Sequence, residues 1–189
     1  MPRQSQNFSD KTSVSYTHLD VYKRQLSGGE PMLQGEASVE ILNKCKQNGL
    51  NPAVATCGFF NKKYLRELAS SADLLLWDIK DTNKERHINN TGVSLTPILD
   101  NLFEADKLGI KLRLRCILIN GINTDEYHFD AVCKIAEQIK NLQGIDLIPY
   151  HPMGKSKYKH LGIDDSFNNK SYIPHNEITE LFRMKIKTV

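Results

Sequence analysis

Leu74-Leu75-Leu76-Trp77-Asp78-Ile79-Lys80 is the stretch on which the fold reading turns. A short apolar run bounded by polar residues is how a strand reads, and the run ends in an Asp-Ile-Lys alternation. Successive side chains of a strand point to opposite faces, so Asp78 and Lys80 share one side and Ile79 takes the other. A half-buried ion pair at a sheet edge explains such a pair plainly; a pair that meets a ligand is the alternative.

Three further stretches read the same way: Leu50 to Thr56, Lys111 to Ile119 and Gly144 to Tyr150, bounded by Gly, Pro, Asn or Asp. Between them the apolar residues take helical spacing. Val39, Ile41, Leu42 and Cys45 make one face, which Asn48-Gly49 closes as a C-terminal cap. Tyr64, Leu65 and Leu68 make a second, Ile98 to Leu108 a third, and Phe129, Val132, Cys133, Ala136 and Ile139 a fourth. Strand starts near 50, 74, 111 and 144 are 24, 37 and 33 residues apart, close to the roughly thirty residues of a βαβ unit. Helical connections of that length favour parallel strands. A closed eight-fold barrel needs about 250 residues, so part of a barrel or an open sheet is expected, and in either the C-terminal strand ends carry the site. Pro152 to Lys170 reads as a Lys-rich loop before a final helix from about His175.

The composition excludes several classes. In 189 residues, 40% hydrophobic and 25% charged, a sizeable core can be buried. Lys plus Arg is 25 and Asp plus Glu 22, and a net charge of +3 gives no basic excess for a nucleic acid or an anionic membrane. No apolar run approaches a bilayer span. Cys45, Cys57, Cys116 and Cys133 lie far apart and no signal peptide precedes them, which suits reduced thiols in a cytoplasm. No two of the four have cluster or zinc spacing.

Met1 to Gln25 is polar and shows neither helical nor strand periodicity; organisation begins near Leu26. Leu19-Asp20-Val21-Tyr22-Lys23-Arg24-Gln25 resembles the translated end of a transposon used in sequencing libraries, and Val14-Ser15-Tyr16-Thr17-His18 resembles its adaptor tail. Residues 1–25 are therefore expected to be a non-native or disordered leader, 26–163 the core, and 164–189 a C-terminal loop and helix.

Four groups sit at the expected strand ends. In Leu26-Ser27-Gly28-Gly29-Glu30-Pro31 two glycines admit a ligand close to the backbone, and the carboxylate that follows suits an ammonium group, although a plain turn before a helix reads the same. Asp78-Ile79-Lys80 is the second. Arg115, inside an apolar strand on the same face as Arg113 and Ile117, needs a partner, and a ligand carboxylate is one candidate. His151, after Pro149-Tyr150, is the fourth; a lone histidine is usually structural, but this one follows a strand.

Together with Thr56-Cys57-Gly58-Phe59, Thr91-Gly92-Val93-Ser94, Leu147-Ile148-Pro149-Tyr150-His151, Gly154-Lys155-Ser156-Lys157-Tyr158 and Leu161-Gly162, these motifs occur in the order seen in radical S-adenosylmethionine proteins that activate glycyl radical enzymes. The chain resembles that family from Leu26 to about Gly162, and the pyruvate formate-lyase activating enzymes most closely. The resemblance implies an α/β fold, a partial (β/α)6 TIM-like barrel of the radical SAM type, with S-adenosylmethionine and a 4Fe–4S cluster as cofactors. It implies that Gly28, Gly29 and Glu30 meet the methionine amino end, Asp78, Ile79 and Lys80 the nucleoside and carboxylate region, and Arg115 and His151 the carboxylate and adenosine side. None of them is expected to act as a general acid or base. The implied activity is formation of a 5′-deoxyadenosyl radical that takes a hydrogen from a glycine of a partner glycyl radical enzyme. A reductant such as flavodoxin or ferredoxin, a monomeric state and a cytoplasmic location are implied with it.

The family's CxxxCxxC loop is absent. The resemblance therefore implies a fragment lacking the first strand, the first helix and most of the second strand, inactive as it stands and unable to ligate the cluster. Ala55 stands where the family usually has Asp or Glu, and Asn120 where it commonly has Pro. A small-molecule radical enzyme of the deazaguanine-synthase kind shares Gly-Gly-Glu but not the Tyr-His and Gly-Lys-Ser-Lys-Tyr segments. A non-catalytic remnant that docks a partner through the Lys-rich loop, and a plain αβ domain, are the readings from other classes.

Overall fold

The computed structural model describes residues 24–151, 160–162, 174, 177 and 180. Most of the expected Lys-rich loop, the Gly154 to Tyr158 motif, most of the final helix and residues 1–23 of the leader lie outside these described residues.

Five strands, β1 (Gln25–Leu26), β2 (Ala53–Thr56), β3 (Leu74–Ile79), β4 (Leu112–Leu118) and β5 (Leu142–Pro149), form one sheet in sequence order. Leu26 pairs with Val54 across β1 and β2, and Thr56 with Trp77 across β2 and β3, both in parallel. At their starts the Leu75 N–H donates to the Lys111 carbonyl at 2.9 Å and the Leu112 N–H to the Asn141 carbonyl at 3.1 Å; at their ends the Tyr150 N–H donates to the Leu118 carbonyl at 2.8 Å. Start joins start and end joins end, the parallel arrangement that helical crossovers require. Those crossovers are α1 (Gly35–Gln47), α2 (Leu65–Ser71), α3 (Lys84–Thr91), α4 (Thr96–Lys107) and α5 (Glu126–Gln138).

Three details differ from the sequence reading. Pro52 lacks the N–H a ladder needs, so β2 starts at Ala53 rather than Leu50. On α1 the buried residues are Gly35, Ser38 and Leu42, while Ile41 is 48% exposed, so the helix turns a narrower and more polar face inward than its apolar stripe suggests. The sequence reading has no counterpart to α3: only His87 of its eight residues is buried, which leaves too little periodicity to see. Its ends are nevertheless marked, since the Asn83 side chain caps the Arg86 N–H and Gly92 closes the helix in the left-handed conformation.

Two compact units divide the chain. The first holds the described residues up to Asp78, with Thr96–Leu114 and Ile139–Asp146. In it α1 packs on α2 and α2 on α4, around Met32, Leu42, Val54, Leu65, Leu68, Leu75, Trp77, Leu102 and Leu114, each at most 1% exposed. Trp77 fixes the local geometry: its ring lies so close to Gly58 that a Cβ there would sit 2.2 Å from the indole, and Phe60 closes the other approach with ring centres 6.2 Å apart. Asp106 of α4 ties down the start of β5, accepting from the Asn141 N–H at 2.8 Å, the Asn141 side chain at 2.9 Å and the Lys140 N–H at 3.1 Å.

The second unit holds Ile79–Leu95, Arg115–Gln138 and the described residues from Leu147 on. Its apolar core includes Ile79, Cys116, Leu118, Phe129 and Val132. At the start of α5 the Asp125 carboxylate caps the His128 N–H at 2.8 Å. His128 is fully buried, with Nδ1 2.9 Å from the Thr82 hydroxyl. Burial pushes its pKa below the ordinary 6.5, against a weaker pull upward from Asp81.

Two outcomes follow for stability. Gly58 has φ +81°, so Gly58→Ala combines left-handed strain with overpacking against Trp77, and chemical denaturation should record a loss of about 3 kcal/mol; a variant as stable as the parent would contradict this packing. For His128 the folded pKa lies below the unfolded one, so the contribution to stability is full above the ordinary histidine range and is lost as pH falls through it. Thermal midpoints measured from about pH 8 down to about pH 5 should fall, and less steeply in His128→Gln.

Candidate functional site

The chain leaves β1 through Ser27 into two left-handed glycines, Gly28 at φ +105° and Gly29 at φ +54°. Both are exposed, and no heavy atom lies within 4 Å of where a Cβ would stand, so the turn presents bare backbone to open space. Glu30 ends it and caps the 3₁₀ turn Pro31–Gln34. Its Oε1 accepts from the Met32 N–H at 3.1 Å and from the Thr56 hydroxyl at 2.8 Å, and its Oε2 accepts from the Cys57 N–H at 2.7 Å. The Thr56 oxygen in turn accepts from the Gly58 N–H at 2.9 Å. The Thr56 hydroxyl also lies 2.9 Å from Oε2, so both carboxylate oxygens are engaged.

Asp78 is half-buried on β3, Ile79 is buried at its last position, and Lys80 is exposed just beyond it. On β4 the inward residues Leu112, Leu114, Cys116 and Leu118 alternate with half-buried Arg113, Arg115 and Ile117. Arg113 is satisfied by Asp146, with Nε 2.9 Å from each carboxylate oxygen. His151 is exposed immediately after Tyr150, whose N–H is held by Leu118.

The expected site residues are thus distributed over both units. In the first, Gly28, Gly29 and Glu30 are brought to the end of β2 by the Thr56 and Cys57 bonds, and Asp78 lies one residue beyond Trp77, the β3 partner of Thr56. In the second, a single side chain, Asn123, joins the Lys80 carbonyl to that of Ile117 on β4, each at 2.8 Å. Sequence reasoning assigned no role to Thr56, Cys57 or Asn123. The Thr56 to Phe59 motif signalled the first two; nothing local signalled Asn123.

Among the described residues no group of three or more His, Cys, Asp or Glu could hold a metal ion. Cys116 is buried and Cys45, Cys57 and Cys133 are half-buried, and none of the four is in a disulfide. Burial pushes the Cys133 thiol up to about 11, far from the thiolate that iron ligation needs. The described residues therefore do not fit an iron–sulfur cluster, whereas the open glycine turn fits a small polar ligand. No described helix is long and apolar enough to cross a membrane.

No protein-family model matches the chain. It is 39% identical over 140 residues to the choline trimethylamine-lyase activating enzyme of Oleidesulfovibrio alaskensis, covering 72% of this chain and 45% of that protein. It is 30% identical over 138 residues to the pyruvate formate-lyase-activating enzyme of Clostridium pasteurianum, covering 73% and 58%. The chain spans about half the length of the curated relatives it matches. Solved structures share the fold, among them the following two. A domain of a pyruvate-formate lyase-activating enzyme from Bacteroides vulgatus matches with a TM-score of 0.69 at 24% identity, covering 87% of this chain and 92% of that one. Coproporphyrinogen III oxidase from Escherichia coli, a radical SAM enzyme, matches with a TM-score of 0.57 at 14% identity, covering 87% and 39%. Over the length it shares with these relatives, the chain is similar in sequence to the activating enzymes of choline trimethylamine-lyase and pyruvate formate-lyase, and it shares the fold of a radical SAM enzyme.

Proposed function

We propose that the protein to which this chain contributes installs a glycyl radical on a partner enzyme, and that this chain supplies much of its S-adenosylmethionine site. The observation that carries the reading is the open Gly28-Gly29 turn, with the Glu30 carboxylate held directly after it. S-adenosylmethionine, when bound and reductively cleaved, supplies the radical that removes a hydrogen from the partner's glycine. The residues here bind and orient. The bare glycine backbone lets the methionine end approach, and the Glu30 carboxylate takes its ammonium group. Lys80 and Arg115 supply cations for the carboxylate and, with Asp78, Ile79 and His151, line the nucleoside side.

A flavodoxin or ferredoxin as electron donor, a monomeric state and a cytoplasmic location belong to the same reading. Residues 1–25 take no part in it, and residues 26–163 carry the core. Reduced thiols and the absence of a basic excess support this setting.

A longer protein that joins these residues to a CxxxCxxC loop, reconstituted with iron and sulfide and reduced without oxygen, should yield 5′-deoxyadenosine and methionine. No 5′-deoxyadenosine from a preparation with an intact cluster would end the radical reading. The chain as it stands should take up no stable cluster, and about four irons per chain after reconstitution would contradict that. It should still bind S-adenosylmethionine at about the millimolar level, roughly 4 kcal/mol, with Lys80→Ala weaker still. NMR titration that finds identical shifts in both chains would move the ligand away from this rim.

A further inference from the structure

We propose that Asn123 is the positioning residue for Lys80, and that what Lys80 contributes to ligand affinity depends on this one amide; the second half rests on the function proposed above. Asn123 is fully buried. Its Nδ2 donates to the Lys80 carbonyl at 2.8 Å and to the Ile117 carbonyl at 2.8 Å, while its Oδ1 accepts from the Ile119 N–H at 2.7 Å. An asparagine amide has two N–H donors and one acceptor oxygen. Both donors and the oxygen are spent on backbone groups, two on β4 and its exit and one on the residue after β3.

The turn that carries Asn123 is itself closed, since the Ile122 N–H donates to the Ile119 carbonyl at 3.0 Å and the Asn123 N–H to the same oxygen at 3.2 Å. On the far side of Lys80 the chain is gripped again. The buried Asp81 carboxylate accepts from the Asn83 N–H at 2.9 Å and from Arg86 Nη2 at 2.9 Å, and Arg86 Nη1 reaches Asp125 at 2.6 Å. Lys80 is thus an exposed residue whose backbone is held on both sides. Holding that backbone removes its part of the ordering that binding would otherwise require. No common replacement meets the same three groups: Asp would turn a carboxylate toward two carbonyls, and Leu would leave all three buried and unpaired.

The test is a double-mutant cycle on the full chain with S-adenosylmethionine as the probe, using the parent, Asn123→Ala, Lys80→Ala and the double variant. Hydrogen exchange is followed in parallel. Asn123→Ser, which keeps an oxygen for the Ile119 N–H, is the second variant should Asn123→Ala fail to fold. Exchange of amides 80–83 should rise by about tenfold in the Asn123 variants while β2 keeps its protection, a factor of the order of one buried hydrogen bond. Asn123→Ala should weaken binding by about tenfold when Lys80 is present and not at all in Lys80→Ala. Equal weakening in both backgrounds, or exchange that rises uniformly over the chain, would make Asn123 a general structural residue and overturn the proposal. If Lys80→Ala binds as the parent does while exchange still rises locally, Lys80 is not a ligand contact, and the proposed site falls while the hold of Asn123 on the segment stands.

Discussion

The Glu30 carboxylate is the constraint from which the described first unit is ordered. β1 is only two residues long, and two ladder positions cannot by themselves hold a segment against the entropy of ordering it. Glu30 supplies the missing attachment by accepting from two backbone N–H groups and one hydroxyl, two of the three at the end of β2. The hydroxyl passes the constraint on, since the Thr56 oxygen fixes the Gly58 N–H, and Gly58 lies flat against Trp77 of β3. A single carboxylate thereby couples the conformation of the glycine turn to the packing of a tryptophan two strands away.

The second unit solves the same problem with different groups. Its strand-end backbone is gripped by Asn123 and by the Asp81, Arg86 and Asp125 set, while Lys80 and His151 are left exposed and Arg115 half-buried. In both units the buried polar side chains hold main chain, and most of the side chains with candidate chemistry stay accessible. Hydrogen bonds made by buried groups are costly to leave half-made, which makes them good anchors.

Much of this was legible in the sequence where one local signal dominates. Leu74–Ile79 is apolar, short and bounded, and it forms β3 at those limits. Asn48-Gly49 ends α1 as a cap should, with Gly49 left-handed. Where two signals compete, the reading slips: Leu50 looks like strand, but Pro52 withholds the donor and delays β2. α3 escaped because its burial is confined to His87, so that caps, not periodicity, are its only local mark. The strand-end candidates were visible because glycine pairs and charges within apolar runs are locally odd. Asn123 was not visible, because an asparagine in a turn is locally ordinary and its partner Lys80 is brought near only by the fold.

The packing of Trp77 has an optical consequence. It is the one tryptophan of the 189 residues, fully buried and capped by Gly58 and Phe60. Its emission therefore comes from a single site at the β2–β3 joint, one residue from Asp78, with no second indole to dilute it. Loosening of that joint admits water to the ring and shifts the spectrum to longer wavelength, so the chain carries an intrinsic, label-free gauge of whether the strand end beside the glycine turn is formed.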